Sequence, residues 1–190
     1  MAKNKKSTST NVVIKTERTA LRQFTESDAD DLFEFAKNPK IGKMAGWKPH
    51  ADIEESKAIL KEVFLGKENM FAIEYNGKVV GSVGFSPDKM RENANCLMLG
   101  YALSEDCWGK GIMPECGEAV INYGFNTLKL DLISITCYTD NLQSKRVIEK
   151  CGFTFEGVIH HAEKMYDGEI KDKYCFYLTK ESYQNSAKNR

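Results

Sequence analysis

The run Trp108-Gly109-Lys110-Gly111-Ile112-Met113-Pro114-Glu115 sets two glycines one residue apart, with a lysine between them. Glycines in such a run let the backbone turn tightly and come close to a ligand. A helix starting here would offer free N–H groups and a positive dipole end, which favour an anion, typically a phosphate. Pro114 suits a first helical turn, where its missing N–H costs nothing, and Lys110 adds a point charge. The run is not a P-loop, since no G-x-x-x-x-G-K-[ST] occurs. It is not a dinucleotide fingerprint either, because Pro114 stands where a third glycine is needed. Taken alone it reads equally well as a tight turn without a ligand. A second group, Asn141 and Ser144, falls at i and i+3, on one face of a helix start. Alone, Asn141 reads as an N-cap.

Period and punctuation define the elements that must position these residues. Residues 19–24 alternate like a strand. Thr25 and Asp28 resemble a capping pair ahead of a short amphipathic helix through Leu32, Phe33 and Phe35, which Pro39 ends. Asp52 and Glu55 open a second helix, with Gly66 as its stop. Residues 70–75 and 78–85 are strand-like, joined by Asn76-Gly77, the dipeptide best suited to a type I′ hairpin. A strand over 95–103 leads into the glycine loop, after which Met113, Cys116, Val120, Gly124 and Leu128 recur at helical spacing. Then come a β-rich run (131–138), a short helix (141–151) with Gly152 past its end, and strands over 153–161 and 173–179. The order β-α-α-β-β-β-α-β-α-β-β predicts a single α/β (α+β) domain of about seven strands and four helices. Its expected span is 14–184, between a disordered basic lead (1–13) and a tail (185–190).

The chain has 190 residues, 42% of them hydrophobic, which is enough for a real core. Lys+Arg and Asp+Glu both number 27, and this zero balance argues against a dedicated nucleic-acid binder. The balance is a sum of unlike parts: residues 1–22 carry six Lys/Arg and one Glu, the remainder 21 and 26. No run approaches the roughly 18 consecutive apolar residues of a membrane span. The N-terminus lacks the apolar core of a signal peptide. The six cysteines form no C-x-x-C pair and have no ligand-like spacing to the three histidines. Reduced, buried thiols, no metal site and a cytoplasmic location are therefore expected.

Four stretches taken in order are more specific than any one of them: T-E-R-T-A-L-R-Q-F (16–24), G-K-V-V-G (77–81), G-Y-A-L-S-E-D-C-W-G-K-G-I-M-P-E (100–115) and N-L-Q-S-K-R-V-I-E-K-C-G-F (141–153). With the topology, they resemble the GNAT superfamily of acyl-coenzyme A N-acyltransferases, in particular the branch of ribosomal-protein alanine N-acetyltransferases. The resemblance covers residues 14–180 and implies a mixed, mostly antiparallel sheet with acetyl-CoA as cosubstrate. Gly109, Lys110, Gly111, Ile112 and Met113 would then supply N–H donors to the coenzyme pyrophosphate. Trp108 stands for the family's Gln or Arg, and Met113 for its Gly or Ala. The strand ending Tyr101-Ala102-Leu103 would splay from its neighbour and pair with the pantetheine arm. In this branch N-x-x-S lies beside the thioester, making Ser144 the donor to the leaving thiolate and Asn141 a contact to the coenzyme arm. Many other members use a tyrosine acid one helical turn further on, where this sequence has Ile148.

The implied reaction is direct attack of a neutral amine on the thioester, with a strand N–H near Tyr101 to Leu103 as oxyanion donor. Cys107 and Cys137 are then structural thiols, not nucleophiles. At pH 7.5 a lysine amine is only ~0.1% neutral and an α-amine roughly 30%, so a terminal amine needs only a weak base. Glu105 is the favoured carboxylate. Glu115, Tyr101 and His50 are further candidates, each with a structural reading beside it. The acceptor is expected to be a protein or peptide N-terminus. The alternatives are a small amine (polyamine, amino acid or antibiotic) or a non-catalytic acyl-CoA-binding module. An acidic domain suits a cationic acceptor. Edge strands near the C-terminus point to a homodimer.

Overall fold

A computed structural model of the protein describes residues 12–91 and 95–188. The expected disordered lead therefore lies outside the described residues as far as residue 11. The chain runs β1 (Ile14–Lys15), β2 (Ala20–Arg22), α1 (Ala29–Ala36), α2 (Pro39–Ala45), α3 (Ile53–Ile59), β3 (Met70–Tyr75), β4 (Lys78–Pro87), β5 (Cys96–Leu103), α4 (Ile112–Asn126), β6 (Leu132–Tyr138), α5 (Leu142–Lys150), β7 (Thr154–Lys164), β8 (Ile170–Thr179) and α6 (Lys180–Lys188). One eight-stranded sheet has the order β1-β2-β3-β4-β5-β6-β8-β7. Every neighbouring pair is antiparallel except β5 and β6.

The fold is the single α/β domain read from the sequence, with one strand and two helices more among the described residues. β1 is two residues long, too short to show a period. α6 runs through 185–188, which the sequence reading gave to a tail. α2 corrects the role of Pro39, which starts a helix instead of ending one. Asn38 Oδ1 accepts the Lys40 N–H at 2.9 Å. Pro39 fills the first helical position, where no N–H is required. The Asn76-Gly77 turn is as read: both residues have positive φ (51° and 75°), the type I′ requirement, and Tyr75 pairs with Lys78.

Alternation along β3 separates two apolar layers. Phe71 and Ile73 enter a cluster with Val120, Ile121 and Phe125 of α4 and Ile148 of α5. Ala72, between them, faces Leu32, Phe35 and Ile41 of α1 and α2. The helices thus cover opposite faces of the sheet.

The parallel pair does not close. β5 pairs with β4 over its length, from Gly81↔Leu103 to Pro87↔Leu97. It meets β6 at only three positions: Cys96↔Leu132, Leu97↔Ile133 and Met98↔Ser134. From Leu99 onward the two strands diverge, which is the splay expected before Leu103. A buried carboxylate pins the closed end. Asp88, just after β4, accepts from Ser134 Oγ at 2.6 Å, from the Met90 N–H at 2.9 Å and from Arg91 Nη1 at 3.1 Å. Arg91 also pairs with Glu156 of β7. No helix among the described residues is long and apolar enough to cross a membrane. No group of three or more His, Cys, Asp or Glu among them could hold a metal ion.

Candidate active site

The gap beyond Met98 opens into a cavity of about 670 Å³. Its lining includes 98–103 of β5, 135–138 of β6, the start of α4, one face of α5, and Ile41, Met44 and Ala45 of α2. Since α2 packs on one face of the sheet and α4 and α5 on the other, the cavity passes through the sheet at the splay. The strand edge along 99–103 has no partner strand there, leaving main-chain groups for an extended ligand.

On the α4 side the loop takes the form its glycines allow. Gly109 and Gly111 have φ of 71° and 76°, in the left-handed region, and Gly111 caps α4. Ile112 and Met113 are buried in the core, and both border the cavity. Trp108 Nε1 donates to the Leu103 carbonyl at 2.8 Å, fastening the loop to the end of β5. Lys110 does not line the cavity. Across from the loop, α5 presents Gln143, Arg146, Val147 and Lys150, the i, i+3, i+4, i+7 face. The side chains of Arg146 and Lys150 make no ion pair or hydrogen bond among the described residues. These two cations were absent from the sequence reading, although their spacing after Asn141 was there to see.

At the centre, Ser144 and Asn141 both line the cavity. Asn141 is the N-cap of α5, accepting the Ser144 N–H at 3.0 Å, and its Nδ2 donates to the Met44 carbonyl at 3.4 Å, tying α5 to α2. Ser144 Oγ lies 2.9 Å from the Tyr101 hydroxyl, which also donates to the Ser144 carbonyl at 3.2 Å. A tyrosine therefore does reach this point, but from β5; Ile148 is core. Burial pushes the Tyr101 phenol above its ordinary range, and the bond to Ser144 only partly offsets this, so it stays protonated. Burial likewise pushes the Cys137 thiol up to about 11, which suits a lining residue and not a nucleophile.

The acidic group at the α2 end is Glu163 of β7, which sequence reasoning missed. It lines the cavity, accepts from Tyr138 at 2.9 Å and pairs with Lys173 Nζ at 2.5 Å. A Cβ added at Gly46, just after α2, would lie 2.6 Å from the Tyr138 hydroxyl and 3.5 Å from Glu163 Oε1. Burial alone would raise the Glu163 carboxyl, but the bonds from Lys173 and Tyr138 hold it below the ordinary range. Its place on a strand far along the chain gave no local motif.

The other candidates lie elsewhere. Glu105, the carboxylate favoured from the sequence, does not line the cavity; Lys40 at 2.5 Å and Asn38 at 2.9 Å engage it and keep it ionised. Glu115 binds Thr16 and Arg18. His50 is buried against Ser56 at 2.7 Å. His160 and His161 are both exposed; the inward–outward split a regular strand would impose is lost at a β7 irregularity, where His161 has φ of 51°.

The site is thus a parallel pair opened beside a helix start, with Tyr101 and Ser144 at its polar centre. The model of the acetyltransferase (GNAT) domain matches residues 18–154, and the chain belongs to that family. It is a GNAT-type, acetyl-CoA-dependent N-acetyltransferase. An uncharacterized N-acetyltransferase p20 of Bacillus licheniformis is 30% identical over 174 residues, covering 88% of this chain and 96% of that one. The ribosomal-protein-serine acetyltransferase of Escherichia coli (strain K12) is 29% identical over 102 residues, 54% of this chain and 56% of that one. Among solved structures, the microcin C7 self-immunity acetyltransferase MccE, in complex with acetyl-CoA and AMP, has a TM-score of 0.75 at 24% identity, covering 86% of this chain and 93% of that one.

Proposed function

We propose that the protein acetylates an α-amine at the N-terminus of a protein or peptide, of the ribosomal-protein type. The observation that carries this reading is the polarity of the cavity through the sheet. Arg146, Lys150 and the α4 start lie on one side, and an ionised Glu163 lies on the other. The residues fit acetyl-CoA: left-handed glycines leave main chain open to a pyrophosphate, unpaired cations face it, and the bare β5 edge suits a pantetheine amide chain. The coenzyme supplies an activated acetyl group. A β5 N–H between Tyr101 and Leu103 stabilises the oxyanion as the amine attacks. Glu163, ionised, draws the amine end of the acceptor to the α2 end and accepts, directly or through water, the proton that the neutral amine releases as it attacks. Ser144 Oγ–H donates to the departing thiolate, with the Tyr101 hydroxyl holding its orientation.

A protein acceptor draws support from the ribosomal-protein-serine acetyltransferase similarity. None of the six cysteines is in a disulfide, which suits the reducing cytoplasm. β7, the last strand of the sheet, exposes Phe155, Val158 and Ile159 and is the edge on which a second copy would pair; light scattering of the purified protein reads this. The test of function is an acceptor panel with acetyl-CoA, read by thiol release and mass spectrometry. Peptides with free N-terminal Ala or Ser should be acetylated on the α-amine. Preference for polyamines, free amino acids or aminoglycosides would replace the acceptor, and binding without transfer to any amine would replace the enzyme.

A further inference from the structure

The T-E-R motif (16–18) has no part in the chemistry above, yet its arginine reaches the phosphate loop. Arg18 sits in the turn between β1 and β2, outside the cavity lining. Its Nη1 donates to the Lys110 carbonyl at 2.8 Å. Its Nε and Nη2 both reach Glu115 Oε2 at 2.7 Å. Glu115 Oε1 accepts the Arg18 N–H at 2.8 Å and the Thr16 hydroxyl at 2.5 Å. One guanidinium thus grips both the glycine loop and the first turn of α4. In a trans peptide the carbonyl and the following N–H point in opposite directions. With the Lys110 carbonyl drawn toward Arg18, the Gly111 N–H turns the other way, and Gly111 lines the cavity where Lys110 does not.

We propose that Arg18 is a positioning residue for the coenzyme: it sets the Lys110–Gly111 peptide so that the Gly111 N–H faces the pyrophosphate. This rests on the phosphate-loop reading of the proposed function. Glu115 is the counter-anchor, and its ionised state follows from these bonds: burial would raise it, and Thr16 and Arg18 outweigh burial. Lysine cannot replace the fork, because one ammonium does not hold a carbonyl and a carboxylate in fixed planes at once.

The experiment compares acetyl-CoA with acetyl-pantetheine, which lacks the phosphates, in the wild-type protein, R18M and R18K. The wild-type protein should prefer acetyl-CoA in kcat/KM. In both variants that preference should fall about tenfold, the scale of one misaimed charge-assisted bond. KM for acetyl-CoA should rise, with kcat and the acetyl-pantetheine kcat/KM near wild-type values. A merely structural arginine would lower both substrates together, and that result overturns the inference. So does a preference left intact in R18M or fully restored in R18K. If the wild-type protein itself shows no preference for acetyl-CoA, the phosphate-loop reading fails and the inference goes with it. Should R18M not fold, R18K alone decides between the same outcomes.

Discussion

The Tyr101 hydroxyl lies 2.9 Å from Ser144 Oγ and 3.2 Å from the Ser144 carbonyl oxygen, so β5 and α5, on opposite sides of the splay, meet at one serine. Neither hydroxyl is acidic by itself, and burial raises the phenol further. In the proposed mechanism, what the pair offers a departing thiolate is an oriented donor.

Ser144→Ala removes that donor. Its kcat should fall about 100-fold, the lower range for general acid catalysis, with KM for acetyl-CoA little changed. Tyr101→Phe leaves the serine in place but free to rotate, and a smaller loss of roughly tenfold is expected. Steady-state kinetics at saturating substrates separates the two. Full turnover by Ser144→Ala at every pH would remove the serine from the mechanism.

Glu163 is held below the usual carboxylate range, so it remains ionised from neutrality down past its unfolded value of about 4.3. A pH profile of kcat/KM from about 6 to about 10 should therefore show no acid limb from Glu163. It should rise with the acceptor's own amine and level off above about 8 for an α-amine. A rate still climbing at pH 10 would identify a lysine-type acceptor instead. Glu163→Gln should lower kcat/KM for the amine with coenzyme KM unaffected.

Gly111 needs its left-handed backbone, and a Cβ there would sit 3.5 Å from Arg18 Nη2. Gly111→Glu adds about 1–2 kcal/mol of backbone strain and a negative charge facing the phosphates. Calorimetric titration with acetyl-CoA should detect no binding at concentrations that saturate the wild-type protein. Unchanged affinity would mean that the loop holds no phosphate.

Asp88 joins the end of β4 to Ser134 of β6, beside the last paired position of the splay. Burial works against its charge, and Ser134, the Met90 N–H and Arg91 hold it below the ordinary range. Its stabilising contribution is complete above the unfolded value of about 3.9 and is lost as pH falls through the lower folded value. Asp88→Asn should cost about 2 kcal/mol at pH 7 in urea unfolding. The gap to wild type should close below pH 4; a gap independent of pH would show that the charge is irrelevant.

The order of strands and helices was legible because it is written in local chemistry. Asn76-Gly77 dictates a tight hairpin, Asn141 and Gly152 bracket α5, and Gly109 and Gly111 turn a strand into a helix start. The same chemistry misled at Pro39, since a proline that cannot continue one helix is equally suited to begin the next. That reading mattered, because α2 lines the cavity through Ile41, Met44 and Ala45.

From the sequence alone followed the fold class, the glycine-rich turn from strand to helix and the placement of Asn141 and Ser144 at a helix start. Each depends on neighbours within a few residues. Only the tertiary structure could decide which carboxylate faces the cavity. Glu105, close to the loop in sequence, is taken up by Lys40 and Asn38, while Glu163, 58 residues further on, is carried to the α2 end by β7. The same holds for Tyr101 meeting Ser144 across 43 positions and for Arg18 gripping Lys110 across 92. Side-chain periodicity reports which face of an element is buried; what that face meets is set by how the strands are ordered and where two of them part.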